Sequence, residues 1–350
     1  MPIQLKEDQD VAEKCPSQRA LQIIDELTVA VRSAIAEIRD INENAKLLTL
    51  NARIEGARAG HAGAAFGVVA QEMQGLSAKT ASVADGMESS TSSIKDLVNI
   101  IGDNARGTRL SDIALTNIDL VDRNLYERTC DVRWWATDSA LVNALSTQSE
   151  SDAKYASSRM RVILNAYTVY LDLVLCDSSG IVVANGRPDQ FNAVGRVEKD
   201  SGWFRQAIAL RTGDEFVCQG PFSCGLVDGK SSLVYATAVR NEGKANERPI
   251  GVLAVVFNWS SLSQAILDSG AWDNRSRRMF VNESGQVLAA SSNVPSDYAF
   301  PVRKYHDLWG KNKGYCIEKV DGRSICIAQA KSPGFETYAT GWRSVIIQGA

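Results

Sequence analysis

Two apolar runs mirror each other about the Gly60–His61 bond, and that symmetry confines the N-terminal part of the chain to very few folds. Ala20, Ile24, Leu27, Val31, Ala34, Ile38, Ile41, Ala45, Leu48 and Ala52 recur at alternating steps of four and three, the spacing of a coiled-coil seam. Val69, Met73, Leu76, Thr80, Val83, Met87, Ser90, Ile94, Leu97 and Ile101 repeat the pattern. Taken from the outside inward, Ala20 falls opposite Ile101, Ile38 opposite Val83, Leu48 opposite Met73, Glu55 opposite Phe66 and Ala59 opposite Ala62. This predicts a long antiparallel helical hairpin that reverses at residues 60–63, where glycine supplies the positive φ of a tight turn. Each arm of about 40 residues would be roughly 60 Å long. A rod so thin buries little surface alone, so two copies are expected to pair as a four-helix bundle that covers Ile23, Ile35, Val68 and Ile100.

The stretch Leu47-Leu48-Thr49-Leu50-Asn51-Ala52-Arg53-Ile54-Glu55-Gly56-Ala57-Arg58-Ala59-Gly60, continued by Phe66-Gly67-Val68-Val69-Ala70-Gln71-Glu72-Met73, is rich in small residues that admit close helix approach. Asn51, Glu55 and Arg58 stand four and three residues apart, so they share one helix face and can exchange charge-assisted hydrogen bonds. The stretch closely resembles the signalling tip of methyl-accepting chemotaxis proteins. The resemblance implies a homodimer, dimers packed into trimers, and binding of a histidine autokinase with its coupling protein. It assigns Asn51, Glu55 and Arg58 to polar trimer contacts, Leu47, Leu50 and Ile54 to apolar positions of that surface, and Val68 to coupling-protein contact. Asn44-Ala45-Lys46 departs from the Gln-Thr-Asn triplet usual there, and Glu43 and His61 depart too. The adaptation segments of the family lie further from the tip than these arms reach, so no methylation site is expected. Glu88 among serines is read as a solvated helix face. The family's C-terminal tether for modifying enzymes has no counterpart in the final residues.

With 350 residues and 45% hydrophobic content, the chain can hold a rod and a globular part of about 200 residues. A net charge of −3 offers no basic stripe for nucleic acid. No apolar run approaches the roughly 18 residues of a membrane span, and the first residues lack a signal-peptide core, so a cytoplasmic protein is expected. Seven cysteines, odd in number and scattered, read as buried thiols; a redox pair of Cys218 and Cys224 is the alternative. With two histidines and no Cys-x-x-Cys, neither a metal nor a cofactor is expected.

The heptad loses phase around Gly102 and Gly107, a candidate hinge or insulator. Helix then resumes through Leu110, Ile113, Leu120, Leu125, Val132, Trp135 and Leu141, with a second helix over 151–165. Leu171 to Leu175, the turn Asp177-Ser178-Ser179-Gly180 and Ile181 to Ala184 form a hairpin signal, which returns as Met279 to Val281, Asn282-Glu283-Ser284-Gly285 and Val287 to Ala289. Such a repeat means two copies of one module. In the first, a short helix at Trp203 to Ala207 precedes strands at 215–218, 232–239 and 250–258 and a helix over 260–267 capped by serine. The second continues with 314–320, a turn at Asp321-Gly322, 323–330 and 342–347. This order resembles a double Cache sensor domain. The fold class is α plus α/β: a coiled-coil hairpin, a long helix, and two PAS-like antiparallel-sheet modules. The expected domains are 1–105 for the hairpin, 106–166 for the connecting and sensor N-terminal helices, and 167–270 and 271–350 for the modules.

The Cache resemblance implies a small-molecule ligand at Trp203, Phe204, Tyr235 and Asn258, each of which also reads as core packing. The amino-acid-binding subgroup has Arg, Tyr and Asp where Ser201, Phe204 and Asn258 stand here. A buried Arg recognises carboxylate and an Asp recognises ammonium, so their loss argues against a plain zwitterionic amino acid. The resemblances together imply a chemoreceptor that senses a ligand through its C-terminal part and controls a kinase through its tip. The alternative is an array-associated binding protein with no ligand. No nucleophile elbow, phosphate loop or His-based triad supports an enzyme.

Overall fold

The computed structural model describes residues 16–349, apart from 274 and 321, with side chains from residue 23 onward. Cys15, the first residues, the side chain of Ala20, Asp321 and Ala350 therefore lie outside the described residues. The chain divides into two compact units between Arg106 and Gly107.

In the first unit, helix α1 spans Pro16–Arg58, a short 3-10 turn covers Gly60–Gly63, and helix α2 begins at Ala64. The hairpin and its tip lie where the mirrored heptads put them, but the seam between the arms does not. Thr28, Ile35, Asn42 and Thr49 of α1 and Ala70, Ser77, Ala84 and Thr91 of α2 are the buried residues, every seventh on each arm. They mirror about the Ala59–Gly60 bond, one residue earlier than the apolar runs. Ile24, Val31, Ile38, Ala45 and Ala52 stay half-buried at its side, whereas Leu27, Ile41, Leu48, Val69, Leu76 and Val83 are exposed. Ile35, expected on the flank, lies at the seam's centre.

The reason is steric. Apart from Ile35, the seam residues are small or polar and let the two helices approach closely, and the other bulky apolar side chains are turned to either side. At the tip end of the seam Gly63 faces Gly56, and a Cβ on Gly63 would stand 2.2 Å from the Gly56 carbonyl oxygen. Further along, Asn42 Nδ2 donates to the Ser77 carbonyl (3.0 Å) and Ser77 Oγ donates to Asn42 Oδ1 (2.6 Å), a buried polar pair that sets register. Arg39 bridges the arms to Asp85 (2.8 Å) and Glu88 (2.5 Å).

Helix α2 continues without a break to Trp135, so neither Gly102 nor Gly107 interrupts it. A glycine costs a helix about 1 kcal/mol, which the surrounding hydrogen-bond ladder absorbs. Gly107 serves packing instead: the Tyr315 ring lies where a Cβ would be, 2.2 Å from its ideal position. From Leu110 onward α2 is a core helix. Leu110, Ala114, Ile118, Val121, Leu125 and Val132 are buried in a cluster shared with both sheets. Helices α3 (Ser139–Thr147) and α4 (Glu150–Ala166) follow, capped by Asp138 and Ser149.

The first module has strands β1 (Tyr170–Asp177), β2 (Val182–Asn185), β3 (Val217–Cys224), β4 (Lys230–Arg240) and β5 (Pro249–Asn258), with α5 (Gly202–Ile208) between β2 and β3 and α6 (Trp259–Leu267) after β5. The second has β6 (Arg277–Val281), β7 (Val287–Ala290), α7 (His306–Trp309), β8 (Lys313–Val320), β9 (Arg323–Lys331) and β10 (Arg343–Gly349). The sheet orders, β2-β1-β5-β4-β3 and β7-β6-β10-β9-β8, are the same. The repeated turns match in detail. Asp177 Oδ1 accepts from the amides of Ser179 (2.9 Å) and Ile181 (3.0 Å), as Asn282 Oδ1 does from Ser284 (3.1 Å) and Gln286 (3.0 Å). Each turn ends on a positive-φ glycine, Gly180 or Gly285. One face of each sheet contributes to the core around α2; the other carries a separate apolar cluster, with α5 in the first module and α7 in the second.

Candidate functional site

Two places are candidates, the hairpin tip and the outer face of the first module. At the tip, the Ala59 amide donates to the Glu55 carbonyl (3.0 Å), and Gly60 adopts φ +62 to reverse the chain. Leu47, Leu50, Asn51, Ile54, Glu55 and Arg58 fall on one side of α1 by their helical steps, and all are exposed. Arg58 Nη1 donates to Glu55 Oε1 at 2.9 Å. Both side chains are largely in water, so the pair adds little to stability and stays available to a partner. Val68, on the other arm, is 63% exposed and Phe66 beside it 65%. Grouped apolar side chains left in water beside polar ones are the usual mark of an interaction surface. Glu88, by contrast, is held by Arg39.

On the first module, Trp203 and Phe204 of α5 are buried edge-to-face, ring centroids 6.0 Å apart, against Val174, Val234, Ala236 and Val256. The Trp203 amide donates to Gln219 Oε1 at 2.7 Å, which ties α5 to strand β3. Gln219 carried no signal in the sequence, since the contact depends on how α5 lies over the sheet.

Tyr235 and Asn258 do not join this pair. Tyr235 points to the opposite face with Leu233 and Val239, where its hydroxyl shares a 2.8 Å hydrogen bond with that of Tyr338. Strand alternation explains the difference, because Val234 and Ala236 take the outer face. Asn258 is the N-cap of α6: its Oδ1 accepts from the Ser261 amide (3.2 Å), so the expected serine cap is an asparagine. Cys218 and Cys224 stand near opposite ends of β3, roughly 20 Å apart by strand rise, which removes the redox-pair alternative. Among the described residues no group of His, Cys, Asp or Glu is placed to hold a metal ion.

A buried polar knot closes the edge of the first module. Asp172 accepts from Asn185 Nδ2 (2.7 Å) and from the amides of Leu173 (2.8 Å) and Arg187 (3.0 Å). The Arg187 guanidinium in turn reaches the carbonyls of Leu164, Tyr170 and Leu171, each at 2.9 Å. Desolvation pushes the Asp172 carboxyl up to about 6, although these hydrogen bonds pull it down. With every donor supplied by the chain itself, this knot is structural.

Residues 5–118 match the family model described as the methyl-accepting chemotaxis protein signalling domain. The N-terminal hairpin is a chemoreceptor signalling domain. Among relatives of this signalling domain, the methyl-accepting chemotaxis protein McpS of Pseudomonas putida is 32% identical over 93 residues, 27% of this chain and 15% of McpS. The biofilm dispersion protein BdlA of Pseudomonas aeruginosa is 39% identical over 79 residues, 23% of this chain and 16% of BdlA. The chain thus spans under a fifth of the length of either relative. The remainder has the fold of solved sensor domains. The sensory domain of the Campylobacter jejuni chemoreceptor Tlp3 matches with a TM-score of 0.52 at 16% identity, over 69% of this chain and 93% of that one. The sensor domain of the V. cholerae histidine kinase DctB matches with a TM-score of 0.50 at 13% identity, over 69% and 98%. The signalling domain is therefore followed by two modules of the Cache type. Among the described residues no helix is long and apolar enough to cross a membrane.

Proposed function

We propose that the protein is a cytoplasmic chemoreceptor. Its C-terminal modules sense a small molecule, and its tip controls a chemotaxis histidine kinase through the coupling protein. The observation that carries this reading is the tip itself, where Asn51, Glu55 and Arg58 lie exposed beside Leu47, Leu50 and Ile54 in a chain that also carries a sensor fold. The exposed apolar lines that flank the polar seam favour a homodimer, and the tip surface favours trimers of such dimers.

The ligand is assigned to the outer face of the first module, near Trp203 and Phe204. Ser201, Phe204 and Asn258 stand where the amino-acid-binding pattern has Arg, Tyr and Asp, which favours a molecule other than a plain zwitterion. The burial of Trp203 and Phe204 supports a second reading, an array-associated adaptor whose sensor face is occupied by its own side chains.

Co-sedimentation of the full chain with coupling protein and kinase tests the proposal. The wild-type chain is expected to enter a ternary complex and Glu55→Ala to leave it. Wild-type chain that stays in the supernatant contradicts both readings.

A further inference from the structure

We propose that the loop joining β9 to β10 is a latch that ties both sheet modules to helix α2 and opens or closes as one unit. The observation behind it is a carboxylate that the signalling reading does not use. Asp122 is fully buried on α2. Its Oδ2 accepts from Ser332 Oγ (2.6 Å) and the Gly334 amide (2.8 Å); its Oδ1 accepts from Thr340 Oγ1 (2.8 Å) and the Thr340 amide (3.2 Å). All four donors belong to this loop of the second module. A buried charge compensated by one loop cannot lose part of it without leaving a desolvated carboxylate behind, so partial opening is strongly disfavoured.

The loop is itself closed and rigid. Phe335 and Tyr338 exchange amide-to-carbonyl hydrogen bonds at 2.7 and 3.0 Å, and Gly334 holds φ +78 with the Tyr338 carbonyl where a Cβ would be crowded. From that frame Phe335 packs edge-on to Tyr126 of α2, ring centroids 5.4 Å apart. Tyr338 reaches in the other direction, to the Tyr235 hydroxyl of the first module (2.8 Å). One loop of the second module therefore holds α2 with one end and the first module with the other. A displacement of β4 relative to α2 must either carry the loop along or break the Asp122 cluster.

The test is amide hydrogen exchange on the full chain for wild type, Asp122→Asn, Tyr338→Phe and the double variant. Each single substitution is expected to speed exchange at Gly334, Thr340 and the α2 amides of residues 115–126 by about tenfold. Because one opening breaks both contacts, their losses add in free energy, and the double variant is expected to exchange faster than either single variant, by about the product of the two single effects. A Tyr338→Phe chain whose Gly334 and Thr340 amides exchange at the wild-type rate would show independent contacts and overturn the latch. Faster loop exchange with unchanged α2 amides would overturn the tie to the helix. Should Asp122→Asn not fold, Ser332→Ala removes one donor and is read by the same criteria.

Discussion

Asp172 carries the clearest pH signature in the first module. Its carboxyl lies at about 6 in the fold and near 3.9 in an unfolded chain, so the folded state favours the protonated form. The stability this group contributes is present below about pH 4, declines as pH rises through the folded value of about 6, and is absent above it. The whole change is about 3 kcal/mol. Burial also raises the Asp131 carboxyl, against the pull of the Tyr170 hydroxyl, and its contribution has the same sign. Urea unfolding between pH 4 and 7 is expected to show the module losing stability over this range, and Asp172→Asn to flatten the slope. An unchanged slope in that variant would assign the dependence to other groups. Asp172 was not legible beforehand, because nothing local in Tyr170-Leu171-Asp172-Leu173 says that Asn185 and the Arg187 amide will meet it.

Among the elements, hairpin, tip and strand pairs were readable because their signals are local: heptads, Gly60, and the Asp177 and Asn282 turns. The phase of the seam was not. Apolar residues mark the surface with most to bury, which here lies beside the contact between the two arms, whereas Thr28, Asn42, Ser77 and Thr91 gave no hydrophobic signal. Oxidation of paired cysteines checks the register. Thr28→Cys with Thr91→Cys is expected to form an intrachain disulfide, and Leu27→Cys with Ile94→Cys, opposite each other in the apolar pattern, to remain largely reduced as an intrachain pair. The reverse result would restore the apolar seam. The exposed lines are also expected to hold a dimer. Sedimentation equilibrium should give twice the chain mass of 38.0 kDa, and Leu48→Glu with Val83→Glu should return it to one. A wild-type mass of 38.0 kDa would contradict the four-helix bundle.

For the whole molecule, a hairpin that matches a signalling-domain family precedes two modules with the fold of solved sensor domains, and helix α2 contributes residues to both units. The fold of the modules was legible from their repeat, but the placement of the four candidate ligand residues was not. Trp203 and Phe204 lie together on the short helix α5, where the aromatic pair put them. Tyr235 and Asn258 lie away from that pair because strand parity and capping, not residue type, decide which way they face. The hinge or insulator expected at Gly102 and Gly107 is unbroken helix, and Gly107 is a packing site for Tyr315. The most direct test of the account is the autophosphorylation rate of the kinase with coupling protein, measured with no receptor, with the wild-type chain and with Glu55→Ala. The account predicts a several-fold change in rate with the wild-type chain and its loss in the variant; equal rates in all three would contradict a chemoreceptor output.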